Sequence, residues 1–135
     1  MLPYALVEQV PGCDEYIALR LAAGLSEKTR EAALKGLPGT LFAVCVRTRD
    51  RLIGMGRIIG DGGCHFEVVD IAVHPDYQRR GIGYQIMEAL MQYLRSNAPK
   101  SAHVSLLADN GAPALYRKFG FEFTAPDSVG MALQM

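Results

Sequence analysis

Apolar residues recur along the chain at different spacings, and each spacing predicts a different element. Ile82, Ile86, Leu90 and Leu94 return at every fourth position, which predicts a helix over about Gly81–Arg95 with one buried stripe. Tyr4–Val10, Thr40–Arg47, Leu52–Gly60 and Cys64–Val73 are short apolar runs bounded by turn residues, and they read as strands. Pro11-Gly12 ends the first run, and Pro75 ends the last. Thr48–Arg51 and Asp61-Gly62-Gly63 turn the chain between the later three, which follow closely enough to form an antiparallel meander. Between the first strand and the meander, Asp14 is placed to cap a helix running to about Ala23, with Ile17 and Leu21 on one face. Ser26 is placed to cap a second, shorter helix stopped by Gly36 and Pro38. After Pro99, Ala102–Ala108 reads as a strand and Gly111–Lys118 as a short helix ended by Gly120. Phe121–Thr124 and Val129–Gln134 then suit a closing hairpin. An antiparallel meander followed by crossover helices predicts an α+β fold with a mixed sheet.

Composition narrows the class. The chain has 135 residues, half of them hydrophobic and 21% charged, which suits one folded domain over 1–135. Formal net charge is zero and no basic block occurs, so neither nucleic acid nor an anionic membrane is an expected partner. The longest uninterrupted apolar run, Leu41–Val46, falls far short of the ~20 residues of a membrane span. The first residues lack the basic start and long apolar region of a secretory signal, so a cytoplasmic location is expected. Cys13, Cys45 and Cys64 are odd in number and widely spaced, which argues against a disulfide framework and against a metal site. They read as structural, as do Met55, Met87, Met91 and Met131, which read as core filling.

The chemistry concentrates in Ile71-Ala72-Val73-His74-Pro75-Asp76-Tyr77-Gln78-Arg79-Arg80-Gly81-Ile82-Gly83. A strand, a proline stop and a turn with two arginines lead to a glycine pair that opens an amphipathic helix. The unpaired N–H groups of a helix's first turn and the positive end of its dipole attract anions. Glycine lets the backbone approach a phosphate without a Cβ in the way. Arg79 and Arg80 add charge beside that position. The segment therefore reads as a pyrophosphate cradle, set against the plain alternative of a solvated helix start. It is not a dinucleotide fingerprint, because the third glycine is missing, and it is not a P-loop, because no Gly-Lys-Ser/Thr follows.

Gln78-Arg79-Arg80-Gly81-Ile82-Gly83 resembles the Gln/Arg-x-x-Gly-x-Gly/Ala signature of the GNAT superfamily of N-acetyltransferases. The resemblance continues at Asn110 and through Leu115-Tyr116 to Gly120-Phe121, in the family's order, and covers roughly residues 40–135. Asn110 stands one residue nearer to Tyr116 than is usual in the family. The resemblance implies the GNAT fold, a mostly antiparallel mixed sheet splayed between Cys64–Val73 and Ala102–Ala108 to admit acetyl-CoA. It implies transfer of an acetyl group from acetyl-CoA to a primary amine of a small molecule by direct attack in a ternary complex, with no metal and no enzyme nucleophile. Ile71, Ala72 and Val73 would meet the pantetheine arm through their backbone. The N–H groups of Arg79, Arg80, Gly81, Ile82, Gly83 and Tyr84 would meet the pyrophosphate, and the Asn110 side chain would add a contact. Tyr116 matches the family's general acid. Glu67 stands where histone-acetylating members carry a base; Asp70 is the other carboxylate of the strand, with a capping or buried hydrogen-bonding role as its alternative. Strict alternation puts these two on opposite faces, and a bulge of the kind the family often carries would shift that parity. His65 and His103 are weaker candidates, and Arg57 and Asp61 lie where relatives line the acceptor site. The implied assembly is a monomer or homodimer. Other readings are acetylation of a protein or peptide amine, and an acetyl-CoA-binding sensor module.

Overall fold

The computed structural model describes residues 3–109 and 113–135. Its elements run in the order β1 (Ala5–Glu8), α1 (Cys13–Ala22), α2 (Arg30–Gly36), β2 (Phe42–Thr48), β3 (Arg51–Gly60), β4 (His65–Val73), α3 (Ile82–Asn97), β5 (His103–Ser105) and α4 (Pro113–Arg117). Short 3-10 turns at Leu37–Gly39 and Pro75–Tyr77 precede β2 and follow β4. The five strands form one sheet in sequence order, antiparallel from β1 to β4 and parallel between β4 and β5.

The sheet has a core on each face. Ile82, Ile86, Leu90 and Leu94 of α3, with Met87, are at most 4% exposed and pack on Val44, Val46, Ile53, Ile58, Phe66 and Val68. Truncating one of these to alanine removes a fully enclosed side chain, a change that costs about 2–5 kcal/mol. Gly56 sits beneath α3 because nothing larger fits there. A Cβ at that position would lie 2.6 Å from Ile86 Cγ2 and 2.8 Å from Ile71 Cδ1. The opposite face carries α1 and α2, whose Tyr16, Leu19 and Ala33 pack on Cys45, Met55 and Ala72.

Three helix details differ from the sequence expectation. Gly12, not Asp14, stands at the N-cap of α1, and its N–H donates to Glu15 Oε2 at 2.8 Å. Thr29, not Ser26, caps α2, its hydroxyl accepting from Ala32 N at 3.1 Å. Ser26 is drawn instead to the Arg20 guanidinium. The buried face of α1 is Tyr16, Leu19 and Arg20, while Leu21 is 53% exposed.

The closing hairpin is absent. No strand occurs among the described residues after Ser105. Thr124 and Ser128 bond to each other across Pro126 and close a local loop, and Met131 and Leu133 beyond it are exposed. Apolar alternation supplies a face but names no partner strand, and here the local bonds win. Met131 is therefore not core filling. Cys64, expected within the strand, is exposed in the turn before β4. Cys45 is buried, and burial pushes its thiol up to about 11.

Candidate active site

β4 and β5 begin as neighbours and then part. They pair only at His65↔His103, Phe66↔Val104 and Glu67↔Ser105. From Val68 onward the edge of β4 that would face β5 has no strand beside it. Apart from the Val73 carbonyl, which Gln78 occupies, its backbone groups on that side have no strand partner. This is the splay expected from the sequence, although β5, at three residues, is shorter than expected and is the edge strand here.

A second irregularity lies in the same strand. β3 advances from Met55 to Arg57 while β4 steps back from Ala72 to Val69, so β4 carries one extra residue. Asp70 takes a left-handed backbone, φ 60°, within this bulge. The bulge cancels the parity that would have separated Glu67 from Asp70, and both line one cleft.

The turn after β4 is built by its own side chains. Gln78 Nε2 donates to the Val73 carbonyl at 2.9 Å and ties the turn to the strand end. Arg79 at φ 64° and Gly81 at φ 80° then reverse the chain into α3. Gly81 is the N-cap of α3, and the first helical bond runs from Gln85 N to Gly81 O at 3.1 Å. The N–H groups of Ile82, Gly83 and Tyr84 therefore precede the first intrahelical donor.

Two clefts meet at this point. The first, about 550 Å³, is lined by Ile71, Ala72 and Val73 from β4, by Gln78, Arg79, Gly81, Ile82 and Gly83, and by Leu115 and Tyr116 from α4. A phosphate-bearing thioester with a long, thin arm fits such a groove. It has free strand edge along its length, unpaired N–H groups at one end and no side chain on Gly81 or Gly83 to block approach. The second, about 1160 Å³, is lined by Tyr16, Arg20, Lys28, Arg57, Glu67, Asp70 and Asp109 among others. Ala23, Ile71 and Tyr116 line both. The Tyr116 ring is held edge-on against Phe121, with centroids 6.4 Å apart. Burial, and then the charge of Asp109, raises the Tyr116 hydroxyl above its ordinary value of 10.0, so it carries its proton at neutral pH.

Seven of the ten residues expected to contact the cofactor line the first cleft. Arg80 is not among its lining residues, and its guanidinium lies over Tyr77, 5.3 Å from the ring centroid. The Tyr84 ring packs on Phe119 at 4.8 Å, leaving only its backbone toward the helix start. Asn110 lies outside the described residues. His65 and His103 stand exposed beside each other on β4 and β5, away from both clefts. Asp61 is a turn residue, its carboxylate accepting from the N–H groups of Gly63, Cys64 and His65.

One cluster gives Asp70 a buried hydrogen-bonding role with partners that the sequence does not associate with it. Asp70, with its side chain 5% exposed, accepts from Tyr16 Oη at 2.9 Å and Arg57 Nε at 2.8 Å, and also from Arg20 Nη1. Arg20 further donates to Ser26 O at 2.9 Å. Burial raises the Tyr16 hydroxyl, and the Asp70 charge adds to that rise. A carboxylate held by two guanidiniums and a phenol is an anchor between α1, β3 and β4. The signal for it was the Tyr16/Arg20 pair at i, i+4 on one face of α1.

Residues 38–123 match the model of the acetyltransferase (GNAT) domain. The chain belongs to the GNAT acetyltransferase family. A crystal structure of a probable acetyltransferase of unknown function from meticillin-resistant Staphylococcus aureus superposes with a TM-score of 0.95 at 51% identity, covering 98% of this chain and all of the other. An uncharacterized N-acetyltransferase of Porphyra purpurea is 34% identical over 58% of this chain, and a histone acetyltransferase of Glycine max is 33% identical over 60%. The matches span only 44% and 34% of those two relatives' lengths. No helix among the described residues is long and apolar enough to cross a membrane, and no cluster of three or more His, Cys, Asp or Glu among them could hold a metal.

Proposed function

We propose that this acetyltransferase moves the acetyl group of acetyl-CoA to a primary amine of a small molecule. The observation that carries the reading is the meeting of two clefts at Ile71 and Tyr116, one suited to the donor and one to the acceptor. In this reading the edge of β4 at Ile71, Ala72 and Val73 holds the pantetheine arm. The backbone from Arg79 to Tyr84 holds the pyrophosphate, with the Arg79 side chain adding charge. Asn110 is a further contact.

Acetyl-CoA supplies an activated acyl carbon, so the chain needs no nucleophile of its own. Its task is to move protons. Glu67 on the acceptor wall takes a proton from the amine, directly or through one water. Tyr116 gives its proton to the departing sulfur and recovers it from solvent. Asp70 is a poor candidate for the base, because both of its oxygens are committed to Arg20, Arg57 and Tyr16.

The volume of the second cleft, about 1160 Å³, also admits a protruding lysine of a protein, the second reading. Release of coenzyme A thiol with saturating acetyl-CoA, across a panel of small amines and lysine peptides, tests both. Turnover of small amines supports the first reading and turnover of peptides alone the second. No turnover in either arm leaves an acetyl-CoA-binding sensor and defeats the transfer reading.

A further inference from the structure

Arg57 is a buried cation, one of whose nitrogens has no partner among the described residues. Its side chain is 9% exposed, with Nε donating to Asp70 and Nη1 to Thr40. Among the described residues no protein group accepts from Nη2, and no buried side-chain nitrogen or oxygen among them is left without a partner. Nη2 is therefore not sealed within the interior, and the cavity that Arg57 lines is the second cleft.

The charges around that cleft are sorted by position. Arg20 and Arg57 share the single carboxylate of Asp70, so this wall keeps one positive charge in excess, and Lys28 lines the cleft as well. The other two carboxylates, Glu67 and Asp109, come from β4 and from the chain after β5. Across the strands, Arg57 stands on β3, Glu67 on β4 and Asp109 beyond β5. Arg57 pairs with Val69 and Ile59 with Glu67, so Arg57 and Glu67 are diagonal neighbours on one face. Their Cα atoms are then about 7–8 Å apart, a span that one small molecule covers.

We propose that Arg57 determines acceptor specificity by binding an anionic group, a carboxylate or a phosphate, carried on the same small molecule as the acetylated amine. A guanidinium fork matches either group, and its bond to a charged oxygen is stronger than one to a neutral oxygen. The amine then lies toward Glu67 and Tyr116. This inference rests on the second cleft being the acceptor site.

The test uses matched amines at saturating acetyl-CoA: β-alanine against β-alaninamide, O-phosphoethanolamine against ethanolamine, and spermidine as an acceptor without an anion. At least one anionic member should exceed its neutral partner in kcat/KM by roughly tenfold to a hundredfold. The pair that shows the preference distinguishes carboxylate from phosphate. Arg57→Gln should bring that ratio to about one, while Arg57→Lys keeps part of it. Because Arg57 also holds Asp70, the unmodified protein supplies a second readout. Glutarate or inorganic phosphate should inhibit competitively against the amine and not against acetyl-CoA. Equal kcat/KM within both pairs, or a preference for spermidine, without such inhibition, overturns the proposal. If no amine is turned over at all, the acetyl-transfer reading has failed separately. The anion site is then judged on whether glutarate or phosphate raises the Tm of the acetyl-CoA complex, and no rise overturns it.

Discussion

Replacing Asp70 with asparagine removes one charge and almost no volume. The wild-type carboxylate is 5% exposed between two guanidiniums that are each 9% exposed. Asparagine tolerates the left-handed backbone at φ 60° as aspartate does, so the bulge itself is not challenged. The loss is therefore electrostatic. Two buried cations lose their counter-charge, and an amide N–H faces a donor. Removing one partner of a buried pair costs about 3–5 kcal/mol. For a domain of this size that is a fall in Tm of roughly 10–20 °C. Asp70→Ala should fall further, by about 1–2 kcal/mol, because alanine resists the left-handed region. Urea unfolding at neutral pH, followed by circular dichroism, measures both. The reasoning fails if Asp70→Asn unfolds within about 1 kcal/mol of wild type, which is the scale of an ordinary surface change. If acetyl transfer also vanishes in that stable variant, Asp70 rather than Glu67 is the base.

The remaining predictions concern the chemistry and the sheet. Tyr116→Phe should lower kcat by roughly 10²- to 10⁴-fold with little change in acetyl-CoA affinity. In the wild type, kcat should decline at a more alkaline pH than an ordinary tyrosine would give, since burial raises the hydroxyl, and this alkaline limb should be missing from the variant. An unchanged kcat would make Tyr116 a packing residue only. Glu67→Gln should slow transfer by a similar factor while leaving the unfolding free energy within about 0.5 kcal/mol of wild type, as expected for a partly exposed position. A fully active variant removes Glu67 from the mechanism. Gly56→Val should destabilise by at least about 1–3 kcal/mol through overpacking against Ile86 and Ile71, and a neutral result would mean that α3 does not lie as close to β3 as described.

Much of this architecture was legible because its signals are local and periodic. The stripe of α3 needs only a four-residue spacing, and all four residues of it are buried. The turn from Gln78 to Gly83 was legible because glycine at φ 80° and unpaired helix N–H groups are properties of the backbone itself. The Asp70 bulge was foreseen only as a family habit, because its placement depends on how β3 and β4 align. The sequence does not single out Arg20, because the apolar Ile17 and Leu21 mark a different face of α1 as the inner one. A buried arginine is expected only once its carboxylate partner is known. Arg57 was named as an acceptor-side residue, yet its tie to Asp70, thirteen positions away, is a tertiary fact. The closing hairpin failed for the converse reason. Its alternation was present, and the Thr124–Ser128 bonds took the chain elsewhere.

The most direct test of the account is whether acetyl-CoA stabilises the protein through the groove between β4 and the start of α3. At about one hundred times Kd, binding to the native state should add about 2.7 kcal/mol and raise Tm accordingly. Gly83→Trp is the matching control. A Cβ at Gly83 meets only Leu115 Cδ2, at 3.6 Å, so the fold accepts a side chain there while the indole fills the groove. The account predicts a clear rise in Tm for the wild type and none for Gly83→Trp. No rise in the wild type at saturating acetyl-CoA, or an equal rise in the folded variant, would contradict it.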